Sequence, residues 1–177
     1  MVDLHDRVIR LITESKPTWK FDILDATYEI TNPNVVDMQL KITQPTRGVY
    51  AVNGSIDIKV DLTDEITFEI DILYSKSGTG NSYRSTPFRL RKMNLTEFVN
   101  WPYKDYLRET LRQCAKNYIE FEGKFVAPVE KTCITLEECK FDTDNMPTMM
   151  KNGFYKLEAH TTYASLSVLV QIYDSIY

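Results

Sequence analysis

Metal ligands of the usual protein kind are scarce in this chain of 177 residues, which has two histidines and three cysteines. Cys133 and Cys139 have five residues between them, a spacing that no common zinc site uses, and neither histidine is near them in sequence. A metal site is not expected, nor is any cofactor. The same scarcity bears on catalysis, because nucleophilic chemistry needs a base beside its serine, cysteine or threonine. His5 lies in the N-terminal segment and His160 on the polar face of a predicted strand, and neither sits in a nucleophile motif. An enzyme is therefore not expected. No apolar run reaches the roughly 18 residues that a membrane-crossing helix requires. Positive charge is not in excess: Lys and Arg number 21 against 25 Asp and Glu, for a net charge of −4. A nucleic-acid partner, which needs a basic face, is not expected either. Six glycines and seven prolines are scattered, with no repeat, linker or low-complexity tract. The expected organisation is an N-terminal segment, 1–20, followed by one domain over 21–177.

What the chain has is alternation. Aromatic residues make up 12%, eleven of them Tyr, which suits strands and apolar pockets. Residues 21–30 read as a strand. In 34–42, Val36, Met38, Leu40 and Ile42 alternate with polar residues. The same holds for Val52, Ile56, Ile58 and Val60 in 49–61, and for Ile66, Phe68, Ile70, Ile72 and Tyr74 in 65–74. Period two puts one face of each strand in water and the other on a core. The short connections near 44–48 and 62–65 predict a three-stranded meander over 34–74. Near the end, Tyr155, Leu157, Ala159 and Thr161, then Leu166, Val168, Val170 and Ile172, predict a hairpin linked at Ala164–Ser165. Between these blocks, Phe98, Trp101, Tyr106, Leu107, Leu111 and Cys114 recur at helical spacing. A helix over about 95–118 follows, capped by Asn94 and broken early at Pro102. The fold class is mainly β: an antiparallel β-cup or sandwich of about six to seven strands with one inserted helix.

Other features are bland by comparison. Asp57, Asp61, Asp64, Glu65, Glu69 and Asp71 fall on outward or loop positions, as a solvated face would. Gly78-Thr79-Gly80-Asn81 lacks the Lys-Ser/Thr ending of a phosphate loop and reads as a hairpin tip. The cluster Met146-Pro147-Thr148-Met149-Met150 is more telling, since methionines adapt to varied apolar shapes. It sits in a stretch, containing Pro128 and Pro147, that reads as irregular. The expected ligand-binding set is Phe68, Ile70, Ile72, Tyr155 and Leu157 on the inner wall, Trp101 on the helix, and Met146, Met149, Met150 and Phe154 at a lip. Three cysteines permit one bridge among Cys114, Cys133 and Cys139, and spacing does not choose the pair. Asn53-Gly54-Ser55 and Asn94-Leu95-Thr96 are candidate glycosylation sequons.

Several segments carry a resemblance. Val52-Asn53-Gly54-Ser55-Ile56-Asp57-Ile58 is similar to one strand of a family of small secreted insect proteins, once a domain of unknown function, that includes chemosensory proteins of taste bristles. Pro87-Phe88-Arg89-Leu90-Arg91-Lys92-Met93-Asn94-Leu95 resembles that family's strand entering the helix, and Pro128-Val129-Glu130-Lys131-Thr132-Cys133 its proline-to-cysteine segment. Asn145-Met146-Pro147, then Asn152-Gly153-Phe154-Tyr155-Lys156-Leu157, resembles its entry to the final hairpin. The likeness runs from about Asn34 to Tyr177. The chain departs from the pattern at Thr96, where the family has a Cys near the helix start, and at Ile134, where it has Pro. That family resembles the ganglioside-activator and myeloid-differentiation-type lipid-recognition proteins, β-cups with an apolar cavity. The resemblance implies secretion with the signal peptide removed, and in a secreted chain one disulfide among the three cysteines and glycosylation at the sequons are expected. The resemblance also implies a lipid or hydrophobic ligand, a chemosensory role, a membrane receptor as partner, and no catalytic residues. The competing expectation is a secreted protein-interaction module with a filled core, acting through its surface.

Overall fold

Alternation tells a side chain which way to face, but hydrogen bonding decides which strands become neighbours. The computed structural model describes residues 17–140, 143 and 146–174. Among these residues, seven strands have nine or more residues: β1 (Trp19–Ile30), β2 (Val36–Thr46), β3 (Val49–Ile58), β4 (Thr67–Ser75), β8 (Thr132–Lys140), β9 (Gly153–Thr161) and β10 (Ala164–Asp174). Three shorter ones are β5 (Arg84–Ser85), β6 (Leu90–Asn94) and β7 (Ala115–Lys116). One sheet runs β1-β10-β9-β4, with β5 and β6 both lying along the far edge of β4. The other runs β2-β3-β8-β7. Every pairing is antiparallel. The mainly β class with one helix is as expected.

The expected meander over 34–74 is not. β2 and β3 pair, but β3 then pairs with β8, and β4 joins the other sheet beside β9. The crossing is anchored by buried Leu62 and Ile66. Leu62 exchanges backbone hydrogen bonds with Val129, N to O, at 2.8 and 2.9 Å. Two buried apolar residues so close together turn the link into a core-spanning step, which a hairpin turn would not need. β8 itself lies in the stretch read as irregular. The final hairpin forms with the expected residues on one face but in a shifted register, with Val168 opposite Leu157 and Leu166 opposite Ala159. Its turn is Thr162–Tyr163, two residues earlier than predicted, because the Thr161 hydroxyl accepts from the backbone N–H groups of Tyr163 and Ala164.

The helix, α1, has three stretches: α-helical Leu95–Phe98, π-helical Val99–Leu107 and α-helical Arg108–Cys114. Asn94 caps it, its Oδ1 accepting from the Glu97 N–H at 2.9 Å. Pro102 does not break it. A proline costs an α-helix one hydrogen bond and a clash one turn back, and the wider π turn around Pro102 accommodates both. The helix ends at Cys114 rather than near 118. There Cys114 is disulfide-bonded to Cys139 of β8, and the next two residues form β7 against Leu136 and Thr135. Cys133 is free and exposed. Trp19 starts β1 and is buried.

Two separate cores hold this together. The larger joins Val36, Ile58, Ile134 and Leu136 of the second sheet to Leu95, Val99 and Tyr103 of α1 and to Phe125 and Val129. The smaller is Trp19, Tyr155 and Ile172, with Phe21, Ile72, Tyr74, Val170 and Met150 packed on it.

Candidate functional site

Register places a continuous apolar surface between the two cores. Across the first sheet, Tyr28 faces Leu166 and Ala26 faces Val168 from β1 to β10. Leu166 faces Ala159 and Val168 faces Leu157 from β10 to β9. Ala159 faces Ile70 and Leu157 faces Ile72 from β9 to β4, and Ile70 faces Leu90 on β6. Because side chains alternate, all of these lie on one face of the sheet, the face carrying Tyr155 and Ile172. None of them carries a charge. Yet Ile70, Leu90, Leu157, Ala159, Leu166 and Val168, on interior strands or beside them, stay partly exposed and belong to neither core except through their neighbour Ile72. Central strands of a filled sandwich bury such residues. Here the wall spans four strands, about 14 Å across at a strand spacing of about 4.8 Å.

The outer face of the same sheet is polar, with Glu69 opposite His160, Asp71 opposite Glu158, and Ser167 opposite Glu158 on the other side. His160 is exposed there, as expected. His5 lies outside the described residues. No group of three or more His, Cys, Asp or Glu side chains that could hold a metal ion occurs among the described residues.

The expected ligand-binding residues divide into three groups. Ile70, Ile72 and Leu157 share the wall, with Tyr155 at its floor in the smaller core. Phe68 also faces inward but is taken up by the helix, its ring stacked on Phe98. Met150 packs on the smaller core, whereas Met146 and Met149 point away, Met149 being 82% exposed. The methionine segment is strapped to the start of β1, because Trp19 Nε1 donates to the Pro147 carbonyl at 2.8 Å. Phe154 stands on the opposite face from Tyr155 and covers Gly78, where an added Cβ would come within 3.0 Å of the ring. Gly78 also has φ +74°, so the turn after β4 requires glycine there. Trp101 is 43% exposed and lies in neither core.

Hydroxyls at the margins are tied down. Tyr74 and Tyr155 donate to the carbonyls of Asn152 and Lys151. Tyr50 stacks on Phe21 and donates to Asp22, joining β3 to β1, and burial followed by the Asp22 carboxylate raises its pKa. Of the two sequon asparagines, Asn53 is engaged on both sides, donating to Thr43 and accepting from the Glu138 N–H. Asn94 is exposed, and its Oδ1 accepts in the helix cap.

Sequence reasoning missed the residue that pins the chain after the helix. Asn100 donates to the carbonyls of Thr96 and Phe125 and accepts from the Phe125 N–H, so one amide fixes the returning segment onto α1. It also missed how β5 and β6 break along β4, a matter of pairing that alternation does not reveal.

No candidate membrane-spanning helix occurs among the described residues. The chain matches, over residues 68–157, the family described as "Protein of unknown function (DUF1091)". That span runs from β4 through α1 and β8 into β9, and so holds the disulfide, the helix and half of the apolar wall. No curated protein matches the chain.

Proposed function

This chain belongs to the DUF1091 family, and on that footing we propose that it is a secreted binding protein for a lipid or another hydrophobic small molecule. The ligand lies along the inner face of β1, β10, β9 and β4. One observation carries the reading: apolar side chains on central strands remain partly open to solvent, in a sheet whose outer face is polar. An uncharged surface of this breadth is costly to leave in water and is relieved by an apolar occupant. The Cys114–Cys139 bridge supports an oxidising compartment, and with it secretion. The exposed Asn94 sequon supports a glycan there. The resemblance to insect chemosensory proteins gives the carrier a setting, delivery of an apolar signal to a membrane receptor. No catalytic step belongs to this reading.

Native mass spectrometry of the protein secreted from eukaryotic cells is the test. A carrier leaves those cells with a bound mass that organic extraction releases. A bare chain that also fails to take up an uncharged dye would replace this reading with the surface-interaction one.

A further inference from the structure

Charge is not spread evenly over this acidic chain. Residues 76–92 hold Lys76, Arg84, Arg89, Arg91 and Lys92 and not one acidic residue, while the whole chain carries −4. All five cationic side chains are exposed. They lie on the segment that covers the free edge of β4, and that cover is broken. β5 pairs with Leu73 and Tyr74, then Thr86 bonds to the Ile72 carbonyl, and pairing resumes only at Leu90 opposite Ile70. Between them Pro87, Phe88 and Arg89 bulge outward, and Phe88 is 45% exposed. A second irregularity follows, a bulge within β6 in which Arg91 and Lys92 both oppose Glu69, between the pairs Ile70–Leu90 and Phe68–Met93. The interruption lies opposite Asp71, between Ile70 and Ile72, whose side chains stand in the middle of the apolar wall between the two cores. Bulges of this kind re-aim side chains and end pairing next to sites. The acids nearest in sequence pairing do not cancel the patch. Glu69 lies opposite Arg91 and Lys92 on the outer face, with Asp71 beside it, and Glu97 is 3.9 Å from an Arg91 whose side chain is 84% exposed, so three acids stand against the five cations of this edge.

We propose that the break between β5 and β6 is the entrance to the apolar wall, and that Arg89, Arg91 and Lys92 make the preferred ligand an anionic amphiphile. Its tail lies on Ile70, Leu157 and Val168, and its carboxylate, sulfate or phosphate head stays at the basic edge. This rests on the carrier reading above and adds a ligand class and a direction of entry. Charge-assisted contacts at an exposed rim select among ligands more than they add affinity, so acid against ester is the discriminating comparison.

The experiment titrates the purified full chain with dansyl-undecanoic acid and with its methyl ester. Three proteins are compared: wild type, Arg89→Glu/Arg91→Glu/Lys92→Glu, and a control reversal on the opposite sheet edges, Lys20→Glu/Lys41→Glu. A third arm floats each protein with phosphatidylglycerol vesicles. The expected result is that wild type binds the acid at least tenfold more tightly than the ester. The triple reversal removes that preference without weakening the ester, and the control keeps it. Equal binding of acid and ester by wild type, or a triple variant that keeps the preference, overturns the proposal and leaves the carrier intact. Vesicle binding abolished by the triple reversal, with dye preference unchanged, also overturns it and makes this edge a membrane-docking surface. Binding of neither probe by any of the proteins removes the carrier reading itself.

Discussion

The ring of Phe98, on α1, lies flat on the ring of Phe68, on β4, with centroids 4.1 Å apart and planes 7° from parallel. This contact joins the helix to the sheet whose wall we assign to the ligand, while the rest of α1 packs on the other sheet. Each Phe→Ala change at these half-buried positions should cost about 2 kcal/mol. Beyond the two single losses, a double-mutant cycle should return a coupling of about 1 kcal/mol. Chemical denaturation of the four proteins measures it, and strict additivity would deny the contact.

A second tie is covalent. The Cys114–Cys139 bridge closes a loop with a sequence separation of 25. On the chain-entropy account such a loop is worth about 3.5 kcal/mol. Cys114→Ser/Cys139→Ser should lose stability on that scale, read by denaturant midpoint. Thiol titration of the denatured, unreduced protein should find one free thiol, Cys133. Three would mean that the bridge does not form.

Tyr103 supplies a pH dependence. Its hydroxyl donates to the Ile119 carbonyl, and burial pushes its pKa up to about 12. The unfolded chain deprotonates this group near the ordinary value of about 10. The contribution of Tyr103 is therefore fully present below pH 10 and is lost as the pH rises from 10 through 12. Tyr103→Phe should be slightly less stable than wild type at neutral pH and should fall less steeply over that window. Urea unfolding at stepped pH tests the difference, and parallel curves would count against a buried neutral hydroxyl.

Much of this architecture can be read from particular residues. Val168 and Leu157 reveal their shared face by period two, and Asn94 announces the helix start. Partnering cannot be read this way, because Ile58 and Ile66 alternate alike whether their strands pair or part into two sheets. Leu62 and Ile66 carry a local hint of the crossing, apolar residues set among Asp61, Asp64 and Glu65 in the link. The run of cationic residues over 76–92 is visible in the sequence, but it gains meaning only once β5 and β6 are seen to leave the β4 edge open. Phe154 looks like a pocket residue until Gly78 is found beneath it.

An open wall and a filled core respond differently to charge. Ile134→Asp, in the larger core, should cost about 4 kcal/mol or prevent folding, since it buries an unpaired carboxylate. Ile70→Asp, on the wall, should cost about 1 kcal/mol, because solvent reaches that position. It should nonetheless abolish uptake of an apolar dye. For a chain of this size 1 kcal/mol is about 2–4 °C in melting temperature, so thermal scans resolve the two. Equal losses would place Ile70 in a closed core.

The most direct measurement fills the wall. Leu157→Trp adds a large ring at its centre, opposite Ile72 and Val168. In a packed core that change strains the fold by about 1–3 kcal/mol, whereas on an open wall the ring takes the place of the ligand. Titration of wild type and Leu157→Trp with the uncharged dye phenyl-naphthylamine, with melting temperature read on the same samples, decides between them. We predict saturable binding by wild type and at least tenfold weaker binding by Leu157→Trp, at a melting temperature within about 3 °C of wild type. A wild type that takes up no dye, together with a variant that melts well below it, would contradict the carrier account.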